Sequence, residues 1–302
     1  MLSLKKLDSN ISRFLPLAHM KYRISICFIL LLYVSKATFA DEKVIKLQLN
    51  NKISATASYI QGETSKPTVL LIHGFLSTRN HATLKNLNLA IADEGYSTLA
   101  PTLSLDIDQR NQSLPCEAIH THTMQTDVQE IESWVNWLHS QGHKKIILLG
   151  HSFGSLHMLV YLKKGNPAIN YAIASSLIDL EHAIGTQKVN SQLNKARQAI
   201  KANNNTLQEY KISYCNKFVS TPRSFASYAE WNKEKILSLL SGIATPVHII
   251  MGGSDKRMDK SWPSTLKKQG KKLSIIDSAN HFFSNEFEFE LHDKVLEILA
   301  RQ

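Results

Sequence analysis

The stretch Lys145-Ile146-Ile147-Leu148-Leu149-Gly150-His151-Ser152-Phe153-Gly154 passes from strand to helix with no linker between. An unbroken apolar run of this length, rich in branched residues, reads as a strand buried on both faces of a parallel sheet. From Phe153 to about Lys163 the pattern turns helical. A Gly-x-Ser-x-Gly match acquires meaning in this context: the glycines allow a sharp turn, and a strained serine projects its hydroxyl above the sheet. The helix that follows aims backbone N–H groups at any charge developing there.

Outward from this point, strand and helix alternate. Pro67–Ile72 (Pro-Thr-Val-Leu-Leu-Ile) is a second buried strand, preceded by weaker strand patterns at Lys43–Leu49 and Ile53–Ile60. Leu84, Leu87 and Ile91 recur at helical spacing before the stop at Gly95. Tyr96–Ala100 is a strand closed by Pro101, and residues 123–140 carry an apolar stripe through Met124, Val128, Ile131, Val135 and Leu138. Trp134 and Trp137 flank that stripe as packing residues. Tyr171–Ile178, Pro246–Met251 and Lys272–Ile276 complete the strands, and Phe287, Leu291, Val295 and Ile298 mark a C-terminal helix. Such alternation predicts an α/β fold, a mostly parallel sheet with helices on both faces. Residues 181–243 interrupt it with a helical or looped insertion.

Three further loops follow predicted strands. Ile72-His73-Gly74-Phe75 offers a backbone N–H at Phe75. Gly252-Gly253-Ser254-Asp255 sets a carboxylate in a loop, and Asn280-His281-Phe282 follows the last strand. Ser152, Asp255 and His281 thus come in the order serine, acid, base, each just past the C-terminal end of a strand, where open parallel sheets bind ligands. Asp179 is the alternative acid. His73 and His151 are read as supporting the site. His120-Thr121-His122 has spacing for two metal ligands, but without an acidic or cysteine cluster it reads as a polar loop near the site.

In combination, His73-Gly74-Phe75, Gly150-His151-Ser152-Phe153-Gly154, Gly252-Gly253-Ser254-Asp255 and Asn280-His281-Phe282-Phe283 resemble the α/β-hydrolase superfamily, over nearly all of residues 43–300. The resemblance implies an eight-stranded, mostly parallel sheet and a helical cap formed by the insertion at about 181–243. It also implies a serine hydrolase acting on carboxylic esters. In it Ser152 is the nucleophile, His281 the base, Asp255 its orienting acid, and the N–H groups of Phe75 and Phe153 the oxyanion donors. Gly150, His151, Gly154, His73 and Gly74 shape and support the elbow. No metal or cofactor is required. A peptidase or amidase using the same triad, or a catalytically silent binding module, are the competing readings.

Composition bounds the rest. With 302 residues, 43% hydrophobic and 20% charged, and only 12 Gly and 8 Pro, the chain is not collagen-like, low-complexity or largely disordered. Residues 1–40 read as a secretory signal peptide with an extended lead-in: a basic start at Met20-Lys21-Tyr22-Arg23, an apolar run from Ile24 to Val34, and small residues ending at Ala40. Met20 is an alternative start, and an uncleaved N-terminal anchor is the alternative reading. Export to the periplasm is preferred over full secretion. Beyond residue 40 the chain holds 29 basic and 24 acidic residues. No nucleic-acid-binding motif accompanies that mild excess. Cys116 and Cys215 remain after cleavage, and an oxidising compartment permits them to pair.

The insertion carries nine basic and four acidic residues, so the net positive charge of residues 41–302 resides there. It also holds Tyr210, Tyr214, Phe218, Phe225, Tyr228 and Trp231. One expectation is an amphipathic lid that meets a lipid-like ester or an anionic membrane surface. The other is a small subdomain with its aromatics packed inward and its lysines in water.

Overall fold

The structure is a computed structural model that describes residues 41–302. The signal-peptide reading of residues 1–40 lies outside the described residues.

The described residues form ten strands: β1 (Glu42–Gln48), β2 (Ser54–Ile60), β3 (Thr68–Ile72), β4 (Thr98–Thr102), β5 (Ile146–His151), β6 (Ile169–Ser175), β7 (Gln208–Ile212), β8 (Cys215–Ser220), β9 (Val247–Gly252) and β10 (Lys272–Ile276). Eight form one sheet in the order β1-β2-β4-β3-β5-β6-β9-β10. β2 runs antiparallel to β1 and β4, and every other pairing in this sheet is parallel. The mostly parallel eight-stranded sheet is as expected.

The apolar runs of β3 and β5 are buried along their full length because the sheet is covered on both sides. Successive residues alternate between two cores. Leu70, Ile72 and Leu148 join one cluster; Val69, Leu71, Ile147 and Leu149 join the other. α1 (Ala82–Asp93) and α9 (Phe287–Leu299) cover the second face through Leu84, Leu87, Ile91, Leu291 and Val295. α2 (Met124–Ser140) and α3 (Phe153–Leu162) cover the first. α2 opens with a capping box, in which the Thr123 side chain accepts from Thr126 N and the Thr126 hydroxyl answers the Thr123 N–H. Its stripe of Met124, Ile131, Trp134, Val135 and Leu138 is fully buried.

Between β6 and β9 come α4 (Leu180–Ile184), α5 (Thr186–Lys201), the β7–β8 hairpin, α6 (Pro222–Ala229) and α7 (Lys233–Gly242). The insertion is mostly helical, as expected, with an antiparallel hairpin at its centre that the sequence reading lacked. Helical periodicity was absent from residues 208–220, and alternation over so short a span is hidden by the turn at Ser213-Tyr214. The short helix α8 (Trp262–Lys267) precedes β10. β4 is displaced toward its C-terminus relative to the reading of Tyr96–Ala100, and Pro101 lies inside it opposite Ala57.

Candidate active site

β5 delivers Ser152 into a turn with φ 58° and ψ −122°, a left-handed conformation costly for a side-chain-bearing residue. Tight packing enforces it. A Cβ on Gly154 would lie 2.6 Å from the His73 carbonyl oxygen, and one on Gly150 would lie 2.5 Å from the Gly154 carbonyl. The helix can therefore start against the end of β3 only because both positions lack a side chain. Ser152 N donates to Ser175 O at 2.8 Å, and the Ser155 hydroxyl bridges the carbonyls of Gly150 and Ser175.

The structure brings the three sequence-predicted residues together. The Ser152 hydroxyl lies 2.8 Å from His281 Nε2, and His281 Nδ1 lies 2.7 Å from Asp255 Oδ2. The Asp255 side chain is 2% exposed and its other oxygen accepts from Arg257 N at 2.9 Å. Ser176 Oγ donates to the His281 carbonyl at 2.8 Å, which anchors the β10–α9 loop over β6. Asp179, the alternative acid, is occupied elsewhere: it caps α4 through the N–H groups of Glu181 and His182 and pairs with Lys233 Nζ at 3.2 Å.

Gly74 abuts the serine, since a Cβ there would stand 3.3 Å from Ser152 Cβ. The neighbouring N–H groups of Phe75 and Phe153 donate to no other protein group among the described residues. They are available to an oxyanion. The two phenyl rings pack at 4.7 Å between centroids and fix this corner.

His73 and His151 are buried supports. His73 Nδ1 donates to Gly74 O, and Nε2 accepts from Leu103 N at 2.9 Å, with the Arg110 guanidinium at 3.2 Å. Burial, reinforced by the Arg110 charge, lowers the His73 pKa to about 3, so the ring is neutral. Arg110 itself, buried and bound to the carbonyls of Leu103, Gln112 and Ser77, falls to about 10. His151 Nδ1 lies 3.0 Å from Ser175 Oγ, and burial followed by the His281 charge holds its pKa low.

His120 and His122 depart from expectation: both are buried beneath the cap, away from the Ser152 cavity. The His120 ring stacks on Phe218 at 4.3 Å. His122 Nδ1 meets Tyr228 Oη at 2.5 Å, and the Tyr228 hydroxyl donates to Asp127 Oδ2, which also meets His157 Nε2 at 3.0 Å. Burial opposes the Asp127 charge, but His122 and His157 outweigh it and hold the carboxyl below the usual range. This cluster ties α2 and α3 to α6 of the cap, and the partners Asp127 and His157 were not marked by any local motif.

The cavity over Ser152 has a volume of about 650 Å³. Its floor is Gly74, Phe75, Ser152 and His281; α4 and the β7–β8 turn form the far wall. Of the six cap aromatics, all but Tyr214 are buried, so the inward-packed arrangement holds for five. Tyr214 is half exposed, lines the cavity, and donates from Oη to Phe75 O at 3.2 Å. Next to it, Cys215 is disulfide-bonded to Cys116, with Cα atoms 5.4 Å apart. Tyr214 belongs to the aromatic cluster read from the sequence, whereas the rim residue Arg257 was not singled out there, although its adjacency to Asp255 marks it.

A sequence family described as a protein of unknown function, DUF1749, matches residues 116–240. No curated protein matches the chain by sequence. Among solved structures, the α/β hydrolase GrgF from Penicillium sp. sh18 is similar at 15% identity, covering 86% of this chain and 98% of that one, with a TM-score of 0.67. Est1E from Butyrivibrio proteoclasticus is similar at 14% identity, covering 86% and 99%, TM-score 0.61. The Pyrococcus furiosus esterase Pf2001 is similar at 16% identity, covering 88% and 91%, TM-score 0.59. With the strand order and the elbow described above, these likenesses define the class: the chain has the α/β-hydrolase fold.

Proposed function

We propose that the protein is a serine hydrolase that cleaves carboxylic esters through an acyl-enzyme. The observation that carries this reading is the continuous chain Ser152 Oγ–His281–Asp255 at the floor of a cavity, beside two undonated N–H groups. A serine hydroxyl is a weak nucleophile until a base takes its proton. His281 Nε2 accepts that proton as Ser152 Oγ bonds to the ester carbonyl carbon. Asp255 accepts from Nδ1–H, fixes the tautomer and stabilises the cation. The oxyanion is received by the N–H groups of Phe75 and Phe153, each worth roughly 3 kcal/mol in such sites. His281 then protonates the departing alkoxide as its C–O bond breaks. Water, deprotonated by the same ring, releases the acid and restores Ser152.

The fold neighbours support an ester substrate: Pf2001 is an esterase, and Est1E has been solved with ferulic acid bound. The Cys116–Cys215 disulfide supports export to an oxidising compartment such as the periplasm. Contact of the cap with an anionic membrane surface would rest on its basic residues, given its mostly buried aromatics.

Hydrolysis of a chain-length series of p-nitrophenyl esters by the protein and by Ser152→Ala tests the reading. Loss of at least about 1,000-fold in kcat in the variant is expected, together with fluorophosphonate labelling of Ser152. Neither turnover nor labelling of the wild type would return the silent binding module to favour.

A further inference from the structure

Charge on the rim of the cavity is strongly one-sided. Lys256 and Arg257 line it, and both are exposed. Two carboxylates stand close by, and each is already committed. Asp255 lies behind His281, which it binds, and Asp179 is fully buried, capping α4 and paired with Lys233. No other acidic residue lines the cavity.

Arg257 is also held in place. Its guanidinium carbon stands 4.8 Å from the ring centroid of Phe282 and 5.6 Å from that of Tyr214. One ring comes from the loop bearing His281, the other from the cap hairpin, and both line the cavity. These two cation–π contacts hold the guanidinium at the rim while leaving its N–H groups unused. Among the described residues the Arg257 side chain makes no ion pair and no hydrogen bond. The main-chain bond from Arg257 N to Asp255 Oδ1 ties the same residue to the triad. Its charge reaches the site: burial lowers the pKa of cavity-lining His81, and the charges of His281 and Arg257 lower it further.

An arginine flanked by two aromatic rings beside a second cation, neither with an acid partner among the described residues, suits a carboxylate. We propose that the ester substrate carries a carboxylate, seated on the Arg257 guanidinium with Lys256 adjacent, while Ser152 attacks the ester carbonyl. This inference rests on the serine-esterase reading and narrows it to monoanionic, dicarboxylate-type esters. The carboxylate is bound, not transformed.

Mono-p-nitrophenyl glutarate and p-nitrophenyl pentanoate form a test pair, matched in chain length and differing in the terminal charge. The wild type is expected to favour the glutarate by about tenfold or more in kcat/KM. That preference should shrink as salt rises from about 0.02 M to about 0.5 M. In Arg257→Gln the charged-to-neutral ratio should fall toward one, chiefly through KM of the glutarate, and Arg257→Lys should restore part of it. Free glutarate should inhibit the wild type competitively and more strongly than glutaramide, a measurement that needs no variant. Turnover of the pentanoate with no preference for the glutarate, or a ratio unmoved in Arg257→Gln, overturns this inference and leaves the esterase reading standing. Turnover of neither ester, without serine labelling, overturns the esterase reading itself.

Discussion

Gly154 and Ser152 illustrate how much of the site is decided at single positions. The serine needs a left-handed backbone, and that conformation persists because the first turn of α3 is pressed against the end of β3. A methyl group at position 154 would meet the carbonyl oxygens of Ile72 and His73, which are backbone atoms and cannot rotate away. Gly154→Ala is therefore expected to destabilise the protein by about 2–4 kcal/mol, read as a shift in urea midpoint. It should also lower kcat, because relief of the clash moves Ser152 off His281. An unchanged midpoint would mean that the helix can retreat from the strand without penalty.

Among the elements, the β7–β8 hairpin joins cap to core. It is fastened at its tip by the Cys116–Cys215 disulfide, and along β8 by the segment before α2, where His120 N donates to Val219 O at 2.9 Å. Tyr214, one residue from the disulfide, donates to the carbonyl of Phe75 and so connects the hairpin to the corner formed by Phe75 and Phe153. The two cysteines are 99 residues apart. In the chain-entropy account a closed loop of that length stabilises by about 4–5 kcal/mol, and native disulfides typically contribute about 2–5. Cys116→Ser with Cys215→Ser, or reduction, is expected to lower Tm accordingly. It should also lower kcat at temperatures where the variant remains folded, since Tyr214 then loses its anchor. Equal Tm with and without reductant would contradict this.

For the molecule as a whole, buried titratable groups set the response of stability to pH. His73 at about 3 and His120 at about 4 are neutral when folded and protonate more readily when unfolded. Each removes stability as pH falls from 6.5 toward its folded value, because the unfolded chain then binds the extra proton. Glu130 has the opposite sign. Burial raises it to about 7 despite hydrogen bonds from Ser104 N, so it adds stability as pH falls from 7 toward 4.5 and loses it as pH rises. Glu130→Gln abolishes that titration. Whatever its offset at pH 4.5, the variant should gain on the wild type by about 2–3 kcal/mol between pH 4.5 and 7, followed by urea unfolding. A constant difference across that range would show that Glu130 ionises normally in the fold.

The sequence by itself determined the sheet, the elbow and the order of serine, acid and base. Those features are written in local signals: apolar runs of strand length, glycines where chains touch, and polar residues placed at strand ends. Packing of Trp134 was legible for the same reason, through the spacing of the α2 stripe. Tertiary structure alone decided between Asp255 and Asp179, since both follow a strand and only the fold brings one of them to His281. It also decided the hairpin inside the cap, the burial of His120 and His122, and the seating of Arg257 between Phe282 and Tyr214. Each of these depends on contacts between residues far apart in the chain, such as Tyr228 with Asp127, and such contacts leave no periodicity in the sequence around either partner.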